Sequence, residues 1–385
     1  MNASISFLDG TYSLIHIPLD IYGALLQPIL QVLLPHDAAD DPAEGFDNLT
    51  IDGKHSFLNI SITPVECSVV CHSALTKDVF EPALRRLPAA VASRVTISKD
   101  TYLILSVINA GMDAGSRVSE LTSPLAMANI PIFFITTYYS DFILVPSKDR
   151  ESVLQALIAR NFEFSEDGAA YVSAGPAVHS PRTNGKPPST PPPSTVAELQ
   201  VRTFALLKKR KVVPYIVDGL ALVQCAGREE SHYVDYTHRP TFNRSATGNG
   251  FKSTWLDSID TRLYTSLIAV LAMQPKFLSF TLAQEDPPSL LMDKTLVPIF
   301  GNSLNGDVEG NLVPIVLDLV DLPLEATGIV SGVAGKLVIE MNQLGTEIGR
   351  ELVYLSTARA GTVILSGETA AKALEVLKSH LTQEG

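Results

Sequence analysis

Short apolar runs, each followed by apolar residues at helical spacing, recur along the whole chain. Ser4 to Ile17 reads as strands around the turn Asp9-Gly10, and Ile21, Leu25, Leu26, Ile29, Leu30 and Leu33 follow at a period near 3.6. Ser56 to Cys71 is a strand pair broken near Thr63-Pro64, and Tyr102 to Ile108 is a buried strand. A helix is predicted over Ser116 to Asn129, with Val118, Leu121, Leu125 and Met127 on its apolar face. Ile132 to Tyr138 and Asp141 to Val145 are paired strands, and Lys148 to Asn161 closes the segment as a helix. The order is β-α-β-β-α-β, in units of about 65 residues. Units of this order fold as ferredoxin-like sandwiches, an antiparallel sheet with helices on one face.

The pattern is duplicated. Phe57-Leu58-Asn59-Ile60-Ser61-Ile62 recurs as Phe277-Leu278-Ser279-Phe280-Thr281-Leu282, and Ile132 to Thr137 recurs as Leu352 to Thr357, both 220 residues later. At the same separation Ala114-Gly115 answers Ala334-Gly335, Val118 answers Val338, and Glu120-Leu121 answers Glu340-Met341. Several matches in one register argue for a repeated unit rather than chance likeness of apolar strands. The fold expected is therefore α/β (α+β), with four tandem modules forming two similar halves. The modules are expected at residues 1–95, 96–173, 199–305 and 306–385. The Pro/Ser/Thr-rich stretch 174–198, which includes Pro187-Pro188-Ser189-Thr190-Pro191-Pro192-Pro193, reads as a linker. Pro35 to His55 and Gly227 to Gly250 read as polar surface insertions.

Composition narrows the function classes. Of 385 residues 46% are apolar and 18% charged, which supplies ample core, and the net charge is −12. The longest basic run is Lys208-Lys209-Arg210-Lys211, too small a footprint for nucleic acid. The N-terminus lacks the pattern of a signal peptide and no apolar stretch is long enough to span a bilayer, so a cytoplasmic location is expected. Cys67, Cys71 and Cys225 are expected to be reduced and buried.

Enzyme motifs fail. Gly328 to Leu337 lacks the first glycine and the Ser/Thr of a P-loop, with Val330 and Leu337 at those positions. The Gly301-Asn302-Ser303-Leu304-Asn305-Gly306 stretch is no nucleophile elbow, and His232 and His238 have no metal-ligand spacing. Neither catalysis, nor a cofactor, nor a metal is expected. Gly111 and Gly115, and Gly332 and Gly335, are read as loops opening onto a helix, where free backbone N–H groups could hold a carboxylate.

The run Ile132 to Val145, ending Thr137-Tyr138-Tyr139-Ser140-Asp141-Phe142-Ile143-Leu144-Val145, resembles the CASTOR family of cytosolic arginine sensors. The Phe57 to Thr63 and Phe277 to Asp286 blocks are similar to that family's strands as well. The resemblance implies four tandem ACT modules, with an amino acid bound between the second and the fourth. It also implies a homodimer, and docking on the GATOR2 complex that controls TORC1. Ligand positions carried over are Pro131 and Ile132, Val333, Ala334, Gly335, Lys336 and Leu337, and Thr357, Ala358 and Gly361. The family's carboxylates fall on Gly361 and Val333-Ala334, so guanidinium recognition lacks its partner and a small or apolar amino acid is expected instead of arginine. Tyr138, Tyr139 and Asp141 are expected to be exposed at a turn and to form the partner-binding surface, because the repeat positions Ala358, Arg359 and Gly361 carry none of these groups. The expected function is a non-catalytic amino-acid-responsive regulator. The alternatives are a constitutive scaffold with a decayed pocket, or a regulatory subunit of an amino-acid biosynthetic enzyme such as aspartate kinase.

Overall fold

Strand β1 (Ser4–Phe7) does not join the module that follows it in sequence. That first module is β2 (Tyr12–Ile17), α1 (Leu26–Leu33), β3 (Phe57–Ile62), β4 (Cys67–His72), the helical run α2 (73–86) and β5 (Thr96–Ile97). Its strands lie in the order β5-β2-β4-β3. The second module is β6 (Tyr102–Ile108), α3 (Ala114–Met127), β7 (Phe133–Thr136), β8 (Asp141–Pro146), α4 (Arg150–Ile158) and β9 (Glu163–Phe164). Here β1 is inserted, giving β9-β1-β6-β8-β7 with Ile5 opposite Val107. The computed structural model describes residues 4–34, 55–108, 114–164, 193–228, 260–284, 286–349 and 351–381. Gly111, most of the expected linker, and most of both polar insertions lie outside these residues.

The second half opens with α5 (Val196–Lys209) and β10 (Tyr215–Ile216). The third module then comprises β11 (Leu222–Gly227), α6 (Thr261–Ala272), β12 (Leu278–Ala283), β13 (Ser289–Asp293), α7 (Val297–Phe300) and β14 (Leu304–Asn305), in the order β14-β11-β13-β12. The fourth comprises β15 (Leu312–Asp318), α8 (Ile329–Gln343), β16 (Val353–Ser356), β17 (Ala360–Ser366) and α9 (Gly367–Leu381). Its last described element is a helix, and the strand position beside β15 is filled from upstream by β10, giving β10-β15-β17-β16. Both outlying pieces, β1 and β10, therefore complete a module other than the one in which the sequence reading put them. Helix α5, whose residues fall across the expected linker and third module, packs on α8 and α9 of the fourth. Thr195 caps it by accepting from Glu198 N, and Glu198 in turn accepts from Ser194 N and Oγ.

Modules pair through their second strands. β3 runs antiparallel to β12 from Phe57–Ala283 to Ile62–Leu278, and β7 meets β16 at Ile135–Leu355. Two long sheets result, and each keeps its helices on one face. Alternation sorts the side chains: in β8, Ile143 and Val145 point into the core beneath the helices, whereas Phe142 and Leu144 point to the other sheet. Tyr12, Phe57, Tyr102, Phe133, Phe142 and Phe277 fill that middle layer. Single bridges at Tyr12–Tyr102 and Leu222–Leu312 join the sheets at their ends, so the strand network closes on itself as a flattened barrel inside four layers, α-β-β-α.

The repeat register is less uniform than its sequence suggests. The second and third strands of each module correspond at 220 residues, but β2 and β11, and β6 and β15, correspond at 210. The extra residues of the fourth module lie in the segment before α8 and in the one after it. For this reason Ala114-Gly115 and Ala334-Gly335 are not equivalent: Gly115 is in the first turn of α3, and Gly332 and Gly335 are inside α8. Gly115, Gly332 and Gly335 thus lie on helix faces, where the absent side chains let helices approach. A Cβ on Gly332 would lie 2.7 Å from Thr203 Cβ on α5, and one on Gly335 would lie 3.0 Å from Gln200 Nε2. Gly332→Val should lower the urea midpoint by an amount equivalent to about 1–3 kcal/mol, since overpacking a close helix contact costs that much.

Candidate ligand-binding site

The longer segment before α8 builds a cavity. After β15 the chain turns at Leu319, whose N–H donates to Arg359 O at 2.8 Å, and closes tight turns at Leu322 N–Leu319 O (2.9 Å) and Ala326 N–Pro323 O (3.0 Å). Arg359 Nη1 donates back to Leu322 O at 3.1 Å. The segment ends at Gly328, with φ of +81°, which caps α8. Only glycine suits this position, because the left-handed backbone coincides with a Cβ site 2.7 Å from Leu199 Cδ1. Thr203 Oγ1 donates to Gly328 O at 3.1 Å and fixes the start of α8.

The cavity is partly open, with a volume of about 50 Å³, at the junction of the second and fourth modules. Ile132 and Phe133 of the second module form one side, and Leu319, Leu322 and Leu324 form the lid. Ile329 and Val330 bring in the first turn of α8, while Tyr354, Ser356 and Gly361 form the floor with the turn residues Thr357 and Ala358. The wall contains no Asp, Glu, Lys, Arg or His.

Of the positions expected from sequence, Ile132, Thr357, Ala358 and Gly361 meet here. Pro131 is half-buried next to Ile132 but is not part of the wall. Val333, Ala334 and Leu337 are buried in the helix-side core, and Gly335 faces Gln200 and Ser119. Lys336 pairs with Glu340 at 2.7 Å. These five belong to α8 beyond its first turn, so their N–H groups are spent inside the helix. The sequence reading missed Tyr354, the lid and the first turn of α8. A usable signal was the shift from a separation of 210 to one of 220 between the first and second strands, which brackets the stretch that contains Gly328 and α8.

Tyr354 is fully buried, and its hydroxyl has no hydrogen-bond partner among the described residues. Burial pushes its pKa well above the ordinary phenol value. The neighbouring turn is held from the first module. The buried Glu66 carboxylate accepts from Thr357 Oγ1 (2.6 Å) and from Arg359 N, and lies 2.5 Å from His16 Nδ1. Ala358 N donates to Ser68 Oγ at 3.2 Å. The related turn of the second module makes the matching contact to the third, Tyr138 N to Ser289 Oγ at 2.9 Å.

At that turn Tyr138 and Tyr139 are 39% and 48% exposed, with their rings edge-on at 4.8 Å. Asp141 is not exposed with them. It is 2% accessible, because it opens β8 on the helix-facing side, and its Oδ2 lies 3.0 Å from Arg117 Nε of α3. Burial pushes the Asp141 carboxyl up to about 6, outweighing the opposing pull of Arg117 and of a hydrogen bond from Thr136.

Comparison with known proteins assigns one module directly. Residues 97–159 match the ACT domain. The match covers β6 to α4, the second module, and the ferredoxin-like order of that module is shared by the other three. Among solved structures, a protein of Agrobacterium tumefaciens is 19% identical over 43% of this chain and 93% of its own, with a TM-score of 0.27. Aspartate kinase from Synechocystis is 9% identical over 98% of this chain, which spans 55% of that enzyme, with a TM-score of 0.32. The ligand-free regulatory subunit of aspartate kinase from Thermus thermophilus is 14% identical over 41% of this chain and 97% of its own, with a TM-score of 0.24. Among the described residues no cluster suited to a metal is present, and no helix is long and apolar enough to cross a membrane.

The raised Asp141 pKa has a definite sign in stability. Between about pH 4 and pH 6 the folded state holds a proton there that the unfolded chain has released. This group therefore adds stability as pH falls through 6 towards 4, and opposes folding above 6. Asp141→Asn should flatten that component in urea unfolding curves taken from pH 4 to pH 7.

Proposed function

We propose that the chain is a non-catalytic regulatory protein that binds a free amino acid between its second and fourth modules. The observation that carries this reading is the cavity itself: two modules wall it, and it faces the glycine-capped first turn of α8. The N–H groups of Ile329 and Val330 precede the first intrahelical bond from Gly332, and they suit the ligand carboxylate. The apolar lid suits a small side chain. Arginine lacks a carboxylate partner in this wall.

Regulation follows from the lid. Leu319, Leu322 and Leu324 cover one side of the cavity, so a ligand seated there bears directly on the lid. The lid is tied to the turn through Leu319 and Arg359, and the turn is tied to the first module through Glu66. Occupancy is thereby converted into a change at module contacts. The lack of any charged group in the wall also favours a second reading, an adaptor whose cavity no longer takes a ligand.

The resemblance to the CASTOR family supports a finer proposal, a cytosolic homodimer that docks on a GATOR2-like complex of the TORC1 pathway. Tyr138 and Tyr139 are the docking residues in this proposal, and Asp141 acts only by supporting them from beneath.

Thermal shift against the free amino acids tests the binding reading. A ligand at about 100 times its Kd stabilises by roughly 2.7 kcal/mol. Small uncharged amino acids should raise the melting temperature and arginine should not; no response to any amino acid favours the adaptor. For the docking proposal, Tyr139→Ala should abolish co-precipitation of the partner complex while moving the melting temperature by no more than about 2 °C, as exposed substitutions usually do.

A further inference from the structure

The polar groups in the cavity wall differ in how far they are already committed. Thr357 Oγ1 donates its proton to Glu66 Oε1 and accepts from Ala360 N, so it has no proton left to donate to a ligand. The Arg359 guanidinium beside the cavity is held on Leu322 O. The Tyr354 hydroxyl is different, because it is fully enclosed and makes no hydrogen bond among the described residues. Phenylalanine would fill the same volume without leaving a polar atom unpaired, so an unpartnered buried hydroxyl calls for an explanation.

Two neighbours keep that hydroxyl within reach. Gly361 pairs with Ser356 across β16 and β17, and a Cβ placed on it would stand 2.9 Å from the Tyr354 oxygen. Any side chain at 361 would crowd the hydroxyl, and Leu319 Cδ1 would stand 3.5 Å from that same Cβ, so the lid closes over the spot that glycine leaves empty. Leu319 belongs to the lid, so lid displacement opens the space directly beside the hydroxyl. Ser356 lies on the same face of β16 as Tyr354, two residues on, and adds a second hydroxyl to this floor.

We infer that the Tyr354 hydroxyl is the specificity handle of this cavity, and that the ligand is a small amino acid whose side chain carries one neutral hydrogen-bonding group. This rests on the reading that the cavity takes an amino acid at all. The side chain must be polar to pair the hydroxyl. It must be uncharged, because the wall holds no counterion and an unpaired buried charge is far costlier than an unpaired hydroxyl. It must be small, because the floor is closed by the strands and only the lid can yield.

Isosteric pairs test this directly: threonine against valine, serine against alanine, and asparagine against leucine, titrated by calorimetry into the full chain and into Tyr354→Phe. The native protein should bind the polar member of at least one pair about three- to tenfold more tightly, the worth of one net hydrogen bond. Tyr354→Phe should lose that preference without losing affinity for the apolar member. The ligand-free variant should melt at the native temperature or above it, since it removes an unpaired polar atom. A native protein that binds the apolar members as well or better overturns the handle and leaves the cavity reading standing. A preference that survives in Tyr354→Phe, or a ligand-free variant that melts lower, overturns it too, because the hydroxyl then has another role. If no amino acid binds, the cavity reading fails and the handle fails with it.

Discussion

An edge strand left unpaired at a sheet border is a liability, and this chain resolves it by duplication. The second strand of each module would be such an edge, and each finds the equivalent strand of the other half. At β3 and β12 the pairing is six residues long and carries buried polar groups on its inner face. Asn59 Nδ2 reaches Ser279 Oγ at 3.2 Å and Thr281 Oγ1 at 3.0 Å, and Ser61 Oγ lies 2.9 Å from Ser279 Oγ. A slip of one residue would turn these groups into the helix-side core and leave them unpaired, so they fix the register. The stacking of the two sheets, the grip of Glu66 on the far turn and the cavity at β7–β16 all depend on this edge pairing.

The elements most legible in the sequence are those whose burial is symmetric on both faces or strictly alternating. Tyr102 to Ile108 is a strand as read, Phe133–Thr136 and Asp141–Pro146 are the strands read over Ile132 to Tyr138 and Asp141 to Val145, and Arg150 to Ile158 lies within the predicted helix. Module membership was not legible, since hydrophobic pattern reports that Ser4–Phe7 is a strand and not which sheet takes it. The glycines misled for a related reason. Period and composition cannot separate a glycine that turns the chain from one that flattens a helix face, and Gly332 and Gly335 are of the second kind. Tyr354 reads as one more apolar strand residue, and only the three-dimensional surroundings of its oxygen set it apart. Asp141 was read as exposed because it follows a polar turn, yet strand alternation carries it inward to Arg117.

The two halves have also diverged where function is concentrated. Asp141 and Gly361 occupy corresponding places in β8 and β17, one a buried ion-pair partner and the other an absence of side chain that exposes Tyr354. Phe134 stands where the fourth module has Tyr354, so the hydroxyl is a property of one half alone. Duplication supplied the symmetric frame, and the ten-residue difference ahead of and behind α8 made one junction unlike the other.

The displaced strands β1 and β10 have a consequence for the order of events during synthesis. β1 leaves the ribosome early, but its partner β6 follows about a hundred residues later, and β10 waits as long for β15. At translation rates of roughly 5–20 residues per second that is a delay of about 5–20 s. In that interval the intervening module can fold, while a short apolar strand hangs from it unsatisfied. The N-terminal half therefore carries an unpaired strand until its second module is made. Ser4–Phe7 is a bookmark that holds the place of a domain not yet made.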